Sequence, residues 1–148
     1  MNQKTEKPDR KELDAWVKKS LNTAVYKYID KGIIDSAVVE AKPAWVLPFQ
    51  ILIGKIRAKD QPENFTWVIC GELPTDYVES SVATTPKDVA RHFSLKWQLT
   101  ASKVQEKNTE QASSQISQND VADNLIGHAE ALYELVENEH LWQQQNNT

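Results

Sequence analysis

Cysteine is nearly absent from this sequence of 148 residues, and Cys70 is the only one. A single cysteine cannot form a disulfide within the chain. The N-terminal stretch MNQKTEKPDRKELD also lacks the apolar core of a secretory signal. The sequence therefore predicts a protein of a reducing compartment, and we expect a cytoplasmic location.

Long apolar runs are missing as well. The longest lies around residues 49–53, far short of the roughly 20 residues that a membrane helix requires, so we expect no membrane partner. The composition is nevertheless that of a folding chain, with 40% hydrophobic residues and five Trp. We expect one domain over residues 9–143 between disordered ends at residues 1–8 and 144–148.

Basic residues are missing from the C-terminal part of the chain. The residues up to Lys107 hold all 17 bases and 14 of the 21 acids, a net charge of +3, while the 41 residues after it hold seven acids, a net charge of −7. This acidic region argues against broad phosphate binding, so we expect no nucleic-acid partner. The two parts either neutralise each other within the fold or leave an acidic docking surface.

The signatures of common chemistries are missing too: no metal-ligand spacing, nucleophile elbow or phosphate loop occurs. The three histidines, His92, His128 and His140, are scattered without short-spaced partners, so they do not predict a zinc site. We therefore expect no metal and no cofactor, and the residue pattern alone assigns no reaction.

What the sequence does contain is helical periodicity on both sides of a strand-rich block. Asp9 and Glu12 resemble a capping box that starts a first helix, and Gly32 is its natural end. Between them, apolar residues recur at three- and four-residue steps on one stripe: Leu13, Trp16, Val17, Leu21, Ala24, Val25 and Tyr28. This pattern is typical of an amphipathic helix that packs on an apolar surface.

Residues 37–42, 49–57 and 65–70 have the composition of strands. Pro43 and Pro48 bracket an irregular or edge segment, because proline cannot donate to a ladder. Gly54, inside the second strand, indicates a bulge or a closely approaching neighbour. Residues 77–84 fit either a short edge strand or a loop, since they combine β-branched residues with serines.

Two more helices follow. Thr85 and Pro86 form a good start for a helix that runs to about Lys107. The Ser/Gln-rich stretch at residues 109–119 is either a loop or a frayed first turn, and Asp120 caps a third helix after it. The third helix has an apolar stripe of Val121, Leu125, Ala129, Leu132 and Val136, flanked by Ile126, Tyr133 and Leu135. Together the elements predict an α+β fold with an N-terminal helix, an antiparallel sheet of three or four strands, and a C-terminal pair of helices packed on the sheet.

One candidate site is the loop that leaves the strand at residues 65–70. Glu72 and Asp76 lie in this loop and His92 lies in the following helix, a set suited to acid–base work or cation binding. The pattern favours an ordinary turn, in which Thr75 or Asp76 accepts backbone N–H bonds. Cys70 and His92 could also form a thiolate pair, but a cysteine in an apolar strand is more often inert core.

A second candidate is an interaction surface. The second helix has one apolar stripe that includes Phe93 and Trp97 and another formed by Leu95 and Leu99 with His92. The second stripe is either an interface or the other side of a helix sandwiched within the monomer. Glu130, Glu134 and Glu137 follow at four- and three-residue spacing, and they form an acidic stripe on the third helix.

Three segments carry a resemblance to a known family: W-V-I-C-G-E-L-P-T-D-Y-V, R-H-F-S-L-K-W-Q-L and H-A-E-A-L-Y-E-L-V-E-N-E-H-L-W. The chain, from Trp16 to Trp142, resembles a family of small bacterial proteins known only as a domain of unknown function. The resemblance implies a bacterial cytoplasmic protein and no substrate, cofactor or catalytic residue. The Ser/Gln stretch before Asp120 is longer than the family pattern.

Two function classes remain. The first is a small interaction or adaptor protein without catalysis, which binds another protein or a second copy of itself as a homodimer. The second is a small-molecule or metal-binding, hydrolase-like site around the Glu72–Asp76 loop and His92. A flat or grooved exposed patch would indicate the first class, and a concavity that joins the carboxylates and the histidine would indicate the second.

Overall fold

The computed structural model describes residues 9–33, 39–58, 64–110 and 115–146. Its elements, in chain order, are α1 (Arg10–Asp30), β1 (Val39–Leu47), β2 (Ile51–Ala58), β3 (Thr66–Gly71), β4 (Asp76–Glu79), a 3₁₀ helix (Ser80–Val82), α2 (Pro86–Glu110), α3 (Gln115–Glu137) and α4 (Glu139–Asn146). The α+β class is confirmed, with a helix, a four-stranded antiparallel sheet and further helices in that order.

The chain divides into two compact units between Thr84 and Thr85. The first contains α1 and the sheet, and the second contains α2, α3 and α4. The single domain expected over residues 9–143 stays a prediction. Of the ends expected to be disordered, residues 1–8 and 147–148 lie outside the described residues, whereas α4 continues to Asn146.

Both ends of α1 have the capping groups that its sequence predicts. The Asp9 side chain accepts a hydrogen bond from the Lys11 N–H at 3.0 Å, which satisfies a free donor of the first turn. At the other end Gly32 has φ 75°, the left-handed region, and the Ile33 N–H donates to the Tyr28 carbonyl at 2.9 Å. This is the Schellman arrangement that glycine permits.

The buried stripe of α1 packs on one face of the sheet. Its buried residues form one cluster with residues of β2 and β3: Leu21, Ala24, Val25 and Tyr28 with Leu52, Ile56, Val68 and Cys70. Trp16 and Val17 are only partly buried at the edge of this cluster. The predicted stripe therefore marks the packed face of the helix.

The sheet is an antiparallel meander in the order β1-β2-β3-β4. Strand β1 runs through Pro43 to Leu47, farther than predicted, and its pairing with β2 shifts between Pro43 and Trp45. Proline is tolerated there because β1 is an edge strand. Opposite the shift, a Cβ on Gly54 would lie 2.9 Å from Leu21 Cδ2 and 2.9 Å from the Lys42 carbonyl, so glycine permits both close approaches.

Within residues 77–84, which fit either a strand or a loop in the sequence, the chain forms the end of a short strand and then a 3₁₀ turn. Strand β4 pairs with β3, where Asp76 lies opposite Ile69. After the turn, the Trp67 indole Nε1 donates a hydrogen bond to the Ala83 carbonyl at 3.0 Å, and both residues are buried. This bond ties the end of the first unit to its central strand.

In the second unit, α2 and α3 form an antiparallel hairpin. The buried Ser94 hydroxyl of α2 donates to the Ala129 carbonyl of α3 at 2.9 Å. Lys87 at the start of α2 pairs with Glu139, just after the end of α3, at 3.0 Å. Trp142 of α4 is buried and its Nε1 donates to the Leu135 carbonyl at 2.9 Å, so the chain folds back onto α3.

Two sequence predictions for these helices are wrong. Helix α2 extends to Glu110 and α3 begins at Gln115, so Asp120 lies inside α3 rather than at its cap. The stretch expected to be a loop or a frayed first turn is helical at residues 109–110 and 115–119, and residues 111–114 lie outside the described residues. Residues 115–119 contain two glutamines, which are good helix formers, and a single serine, so this part of the stretch favours helix. Val121, expected in the buried stripe, is exposed, and Ala122 is buried instead.

Candidate functional site

A groove runs between α2 and α3 in the second unit. Its volume is about 810 Å³, and its walls are Leu95, Gln98 and Ser102 from α2 and Ile126, Glu130, Tyr133 and Glu134 from α3. Residues at such spacings lie on one side of each helix. The groove is therefore a continuous surface between two helices that pack against each other.

The seam between the helices explains why the groove exists. Small side chains occupy buried positions on both helices: Ser94 and Ala101 on α2, and Ala122 and Ala129 on α3. Small residues let two helix backbones approach closely, as the Ser94–Ala129 hydrogen bond shows. On α3, Ala122, Ala129 and Val136 are spaced by seven residues, the narrow seam of a coiled coil. Leu95 of α2 and Tyr133 of α3 are large apolar side chains that stay exposed beside this seam.

The groove presents large apolar side chains at its surface. Leu95 is 52% exposed and Tyr133 is 48% exposed, whereas Ile126 is half-buried. Leu99, next along the α2 stripe, is 65% exposed but does not line the groove. Within the described part of the second unit, the Leu95–Leu99 stripe is therefore an exposed face of α2.

Two carboxylates lie on the α3 wall of the groove. Glu130 and Glu134 are exposed and one helical turn apart; Glu137, also exposed, lies beyond the lining. Among the side chains that the structure describes, which do not include those of residues 107–120, no ion pair within 4.0 Å involves any of the three glutamates. Lys96, which the sequence offers as a base near these acids, has its Nζ over the Phe93 ring, 5.8 Å from the ring centroid. The groove thus combines an apolar surface with an acidic wall.

The groove joins only some of the predicted interface residues. Leu95, Glu130 and Glu134 line it together, while Leu99 and Glu137 do not. Gln98, Ser102, Ile126 and Tyr133 were not identified as site residues from the sequence, although Ile126 and Tyr133 were placed beside the apolar stripe. The sequence did contain a signal for Ile126 and Tyr133: Ala122 and Ala129 are small and seven residues apart, which marks the seam of α3 and places its larger neighbours beside that seam.

The loop between β3 and β4 has the geometry of a turn. Glu72 is exposed, and its backbone N–H donates to the Gln50 carbonyl at 2.7 Å. Gly71 precedes it with φ 107°, and a Cβ there would lie 2.5 Å from the same carbonyl oxygen. Asp76 Oδ1 accepts a hydrogen bond from the Tyr77 N–H at 2.8 Å. The loop thus uses both backbone and side-chain hydrogen bonds to hold its shape.

His92 belongs to the second unit. It is half-buried on α2, and its ring centroid lies 5.7 Å from that of Phe93 in an edge-on arrangement. A catalytic set of Glu72, Asp76 and His92 would span both units, and it stays a prediction. Within the described ranges, no three His, Cys, Asp or Glu side chains form a group that could hold a metal ion.

Cys70 lies in the core of the first unit, among α1 and sheet residues. Burial raises the pKa of its thiol to about 11, so the thiol is protonated at neutral pH. A nucleophilic cysteine needs the thiolate. In the same cluster, burial and then the Asp76 carboxylate raise the pKa of the Tyr28 phenol. The raised pKa of the thiol supports the interpretation of Cys70 as inert core.

The fold and the groove define an α+β protein with a helix-covered antiparallel meander, a helical hairpin and an apolar–acidic groove along that hairpin. The chain belongs to the family described as "Domain of unknown function (DUF4826)", whose model matches residues 10–142. This membership agrees with the resemblance found in the sequence. No curated protein and no solved structure matches the chain. Among the described helices, none has the length and apolarity needed to cross a membrane.

Proposed function

We propose that this chain is a small interaction or adaptor protein without catalysis, which binds a basic, partly apolar segment of a partner protein in the α2–α3 groove. One observation carries the proposal: exposed Leu95 and Tyr133 share the groove with Glu130 and Glu134. Exposed apolar groups that cluster beside charged ones are typical of protein interaction sites.

Charge supports the choice of a basic partner. Glu130 and Glu134 are one turn apart on the same helix, where like charges repel each other. The 41 residues after Lys107 contain no base, so α3 has no cation of its own near them. A partner with Lys or Arg residues would relieve this repulsion and orient itself by charge.

The proposal includes a bacterial, cytoplasmic setting. The family resemblance supports the first part, and the single buried thiol of Cys70 is compatible with the second. A second copy of this chain is the alternative occupant of the groove, and it would make the protein a homodimer. The hydrolase-like alternative around Glu72, Asp76 and His92 remains a separate hypothesis, which the Asp76 substitution below tests.

Affinity capture from a bacterial lysate tests the proposal with three forms of the full chain. Wild type is compared with Leu95→Asp in the groove and with Val121→Asp, which places the same charge on an exposed apolar position of α3 outside the groove. We expect a protein that wild type and Val121→Asp retain and Leu95→Asp loses, with capture weakened by salt. Equal capture by all three forms would contradict the proposal. Circular dichroism establishes that each variant is folded.

A further inference from the structure

We infer that the occupant of the α2–α3 groove is a short amphipathic helix with a basic edge, which packs beside α2 and α3 as a third helix. This inference rests on the proposed function and adds the conformation and charge pattern of the bound segment. Its support comes from the backbone of the groove walls, from their length and from the distribution of charge between them.

The backbone of the walls favours a helical occupant over an extended one. Both walls lie inside helices, with Leu95 to Ser102 within α2 and Ile126 to Glu134 within α3. The backbone N–H and C=O groups there are already paired along each helix. An extended peptide would find no sheet edge to pair with, and its own backbone groups would lose water without a partner. A helix satisfies its backbone internally and brings only side chains to the groove.

The length of the walls sets the size of the contact. At about 1.5 Å per residue, the lining spans roughly 10–12 Å along each helix, which corresponds to about two turns. Two turns of a third helix place apolar side chains at positions i, i+3 or i+4, and i+7 on one face. Such a face matches a groove whose exposed apolar groups are Leu95 and Tyr133.

The charge of the walls differs from one side to the other. Glu130 and Glu134 lie on the α3 wall, whereas the polar residues of the α2 wall, Gln98 and Ser102, are neutral. Lys or Arg residues are therefore expected along only one edge of the occupant's apolar stripe. A second copy fits less well, because its groove would offer the Glu130 and Glu134 carboxylates only another neutral or acidic wall and no base.

Designed peptides test the inference without knowledge of the natural partner. The probe is a fluorescent, alanine-based peptide of about 18 residues, since isolated helices shorter than ~12–15 residues are marginal in water. It carries Leu at three- and four-residue steps and Lys along one edge of that stripe. The first control is an isomer of the same composition in which Leu and Lys alternate with a period of two, the strand pattern. The second control replaces each Lys with Glu.

Binding is measured by fluorescence anisotropy against wild type, Leu95→Asp, the double variant Glu130→Gln/Glu134→Gln, and Val121→Asp. The helical Lys probe should bind at least about tenfold more tightly than either control peptide. Leu95→Asp should weaken it by about tenfold or more. The double glutamine variant should weaken it by roughly three- to tenfold at low salt and less at high salt. Val121→Asp should bind like wild type.

The outcomes separate this inference from the proposed function. If the period-two isomer binds as tightly as the helical probe and shows the same loss in Leu95→Asp, the groove is a binding site but its occupant is not a helix. If no peptide binds while lysate capture still depends on Leu95, the helix inference is again wrong and the interaction function stands. If sedimentation shows a wild-type dimer that Leu95→Asp dissociates, a second copy occupies the groove and this inference is wrong.

Discussion

Phe49 occupies a backbone conformation that a phenylalanine rarely adopts. Its φ is 62°, in the turn between β1 and β2, where the Gln50 N–H donates to the Leu47 carbonyl at 2.9 Å. Pro48 precedes it, so the turn has the pattern of a type II turn, whose third residue is usually glycine. The Phe49 ring lies 5.7 Å from the Trp16 ring of α1. The aromatic contact therefore offsets a strained backbone.

Two substitutions at Phe49 separate the strain from the contact. Both Phe49→Ala and Phe49→Gly remove the ring, but only glycine removes the left-handed strain of about 1–2 kcal/mol. We expect Phe49→Gly to be more stable than Phe49→Ala by about 0.5–1 kcal/mol, after the larger chain entropy of glycine is subtracted. Urea unfolding measures the difference. An alanine variant as stable as the glycine variant would show that the turn is unstrained.

Substitutions of Asp76 test whether the β3–β4 loop has a structural or a functional role. The Asp76 side chain accepts the Tyr77 N–H, so Asp76→Ala should lower the free energy of unfolding by about 0.5–2 kcal/mol, and Asp76→Asn, which keeps an acceptor, should lower it less. Thermal melting measures both. If Asp76→Ala melts like wild type yet abolishes the binding of a metal or small molecule in a ligand screen, the hydrolase-like hypothesis is favoured instead.

At the scale of the element, α3 carries its acids without described ion partners. The sequence leaves two possibilities for Glu130, Glu134 and Glu137: pairing with bases such as Lys96, Lys103 and Lys107, or an unpaired, self-repelling stripe. None of the ion pairs among the described side chains includes these glutamates, and the Lys107 side chain lies outside the described ones. The acids also lie toward the C-terminus of α3, where they oppose the helix dipole. The lack of described ion pairs favours the self-repelling stripe, and the helix dipole adds to the unfavourable energy of these acids.

Replacing the three glutamates of this stripe with glutamine should therefore raise the melting temperature at low salt by roughly 1–4 °C. The difference should shrink at high salt, because salt screens the repulsion. Differential scanning calorimetry at about 0.02 M and about 0.5 M salt tests both expectations. A variant that melts below wild type at low salt would reveal intramolecular pairing of the stripe.

At the scale of the whole molecule, buried titratable groups make stability depend on pH. Burial raises the pKa of Cys70 from 9.0 to about 11, and the pKa of Tyr28 is raised as well. Below pH 9 the thiol is protonated in both folded and unfolded chains. Between pH 9 and 11 the unfolded chain releases the proton while the folded chain keeps it. The free energy of unfolding must therefore fall as the pH rises through this window.

We expect Cys70 to account for about 2–3 kcal/mol of this fall. In Cys70→Ala the free energy of unfolding should depend less on pH between 9 and 10, before Tyr28 contributes. Urea unfolding from about pH 8 to about pH 11 measures both curves. Parallel curves for wild type and Cys70→Ala would contradict the expected role of the thiol.

Local features of the fold followed from the sequence because their causes are local. The Asp9 cap, the end of α1 at Gly32 and the apolar strand that ends after Cys70 each depend on a few neighbouring residues. The extent of α2 and α3 did not follow, because serines near residue 113 indicate a loop while the glutamines around them favour helix.

The sequence predicted the stripes that contribute to the candidate site but not which residues of the two helices share the groove. The period of the second helix singled out Leu95 and Leu99, and the spacing of Glu130 and Glu134 placed both on one stripe, since each inference concerns a single helix. No rule within one helix says which residues of α2 and α3 share a groove. That depends on how the hairpin packs, and the small residues Ser94 and Ala129 bring its helices close.

By itself, then, the sequence determined the succession of a helix, antiparallel strands and further helices, the caps at Asp9 and Thr85 and most of the apolar stripes, because each depends on chain-local chemistry. Tertiary structure alone decided that Gly54 accommodates Leu21 of α1, that Val121 is exposed, and that Leu95 faces Glu130 and Glu134 across a groove. These outcomes depend on which surfaces meet. The physical reason is that burial is a property of pairs of elements, so a stripe that could be buried stays exposed wherever no neighbour covers it.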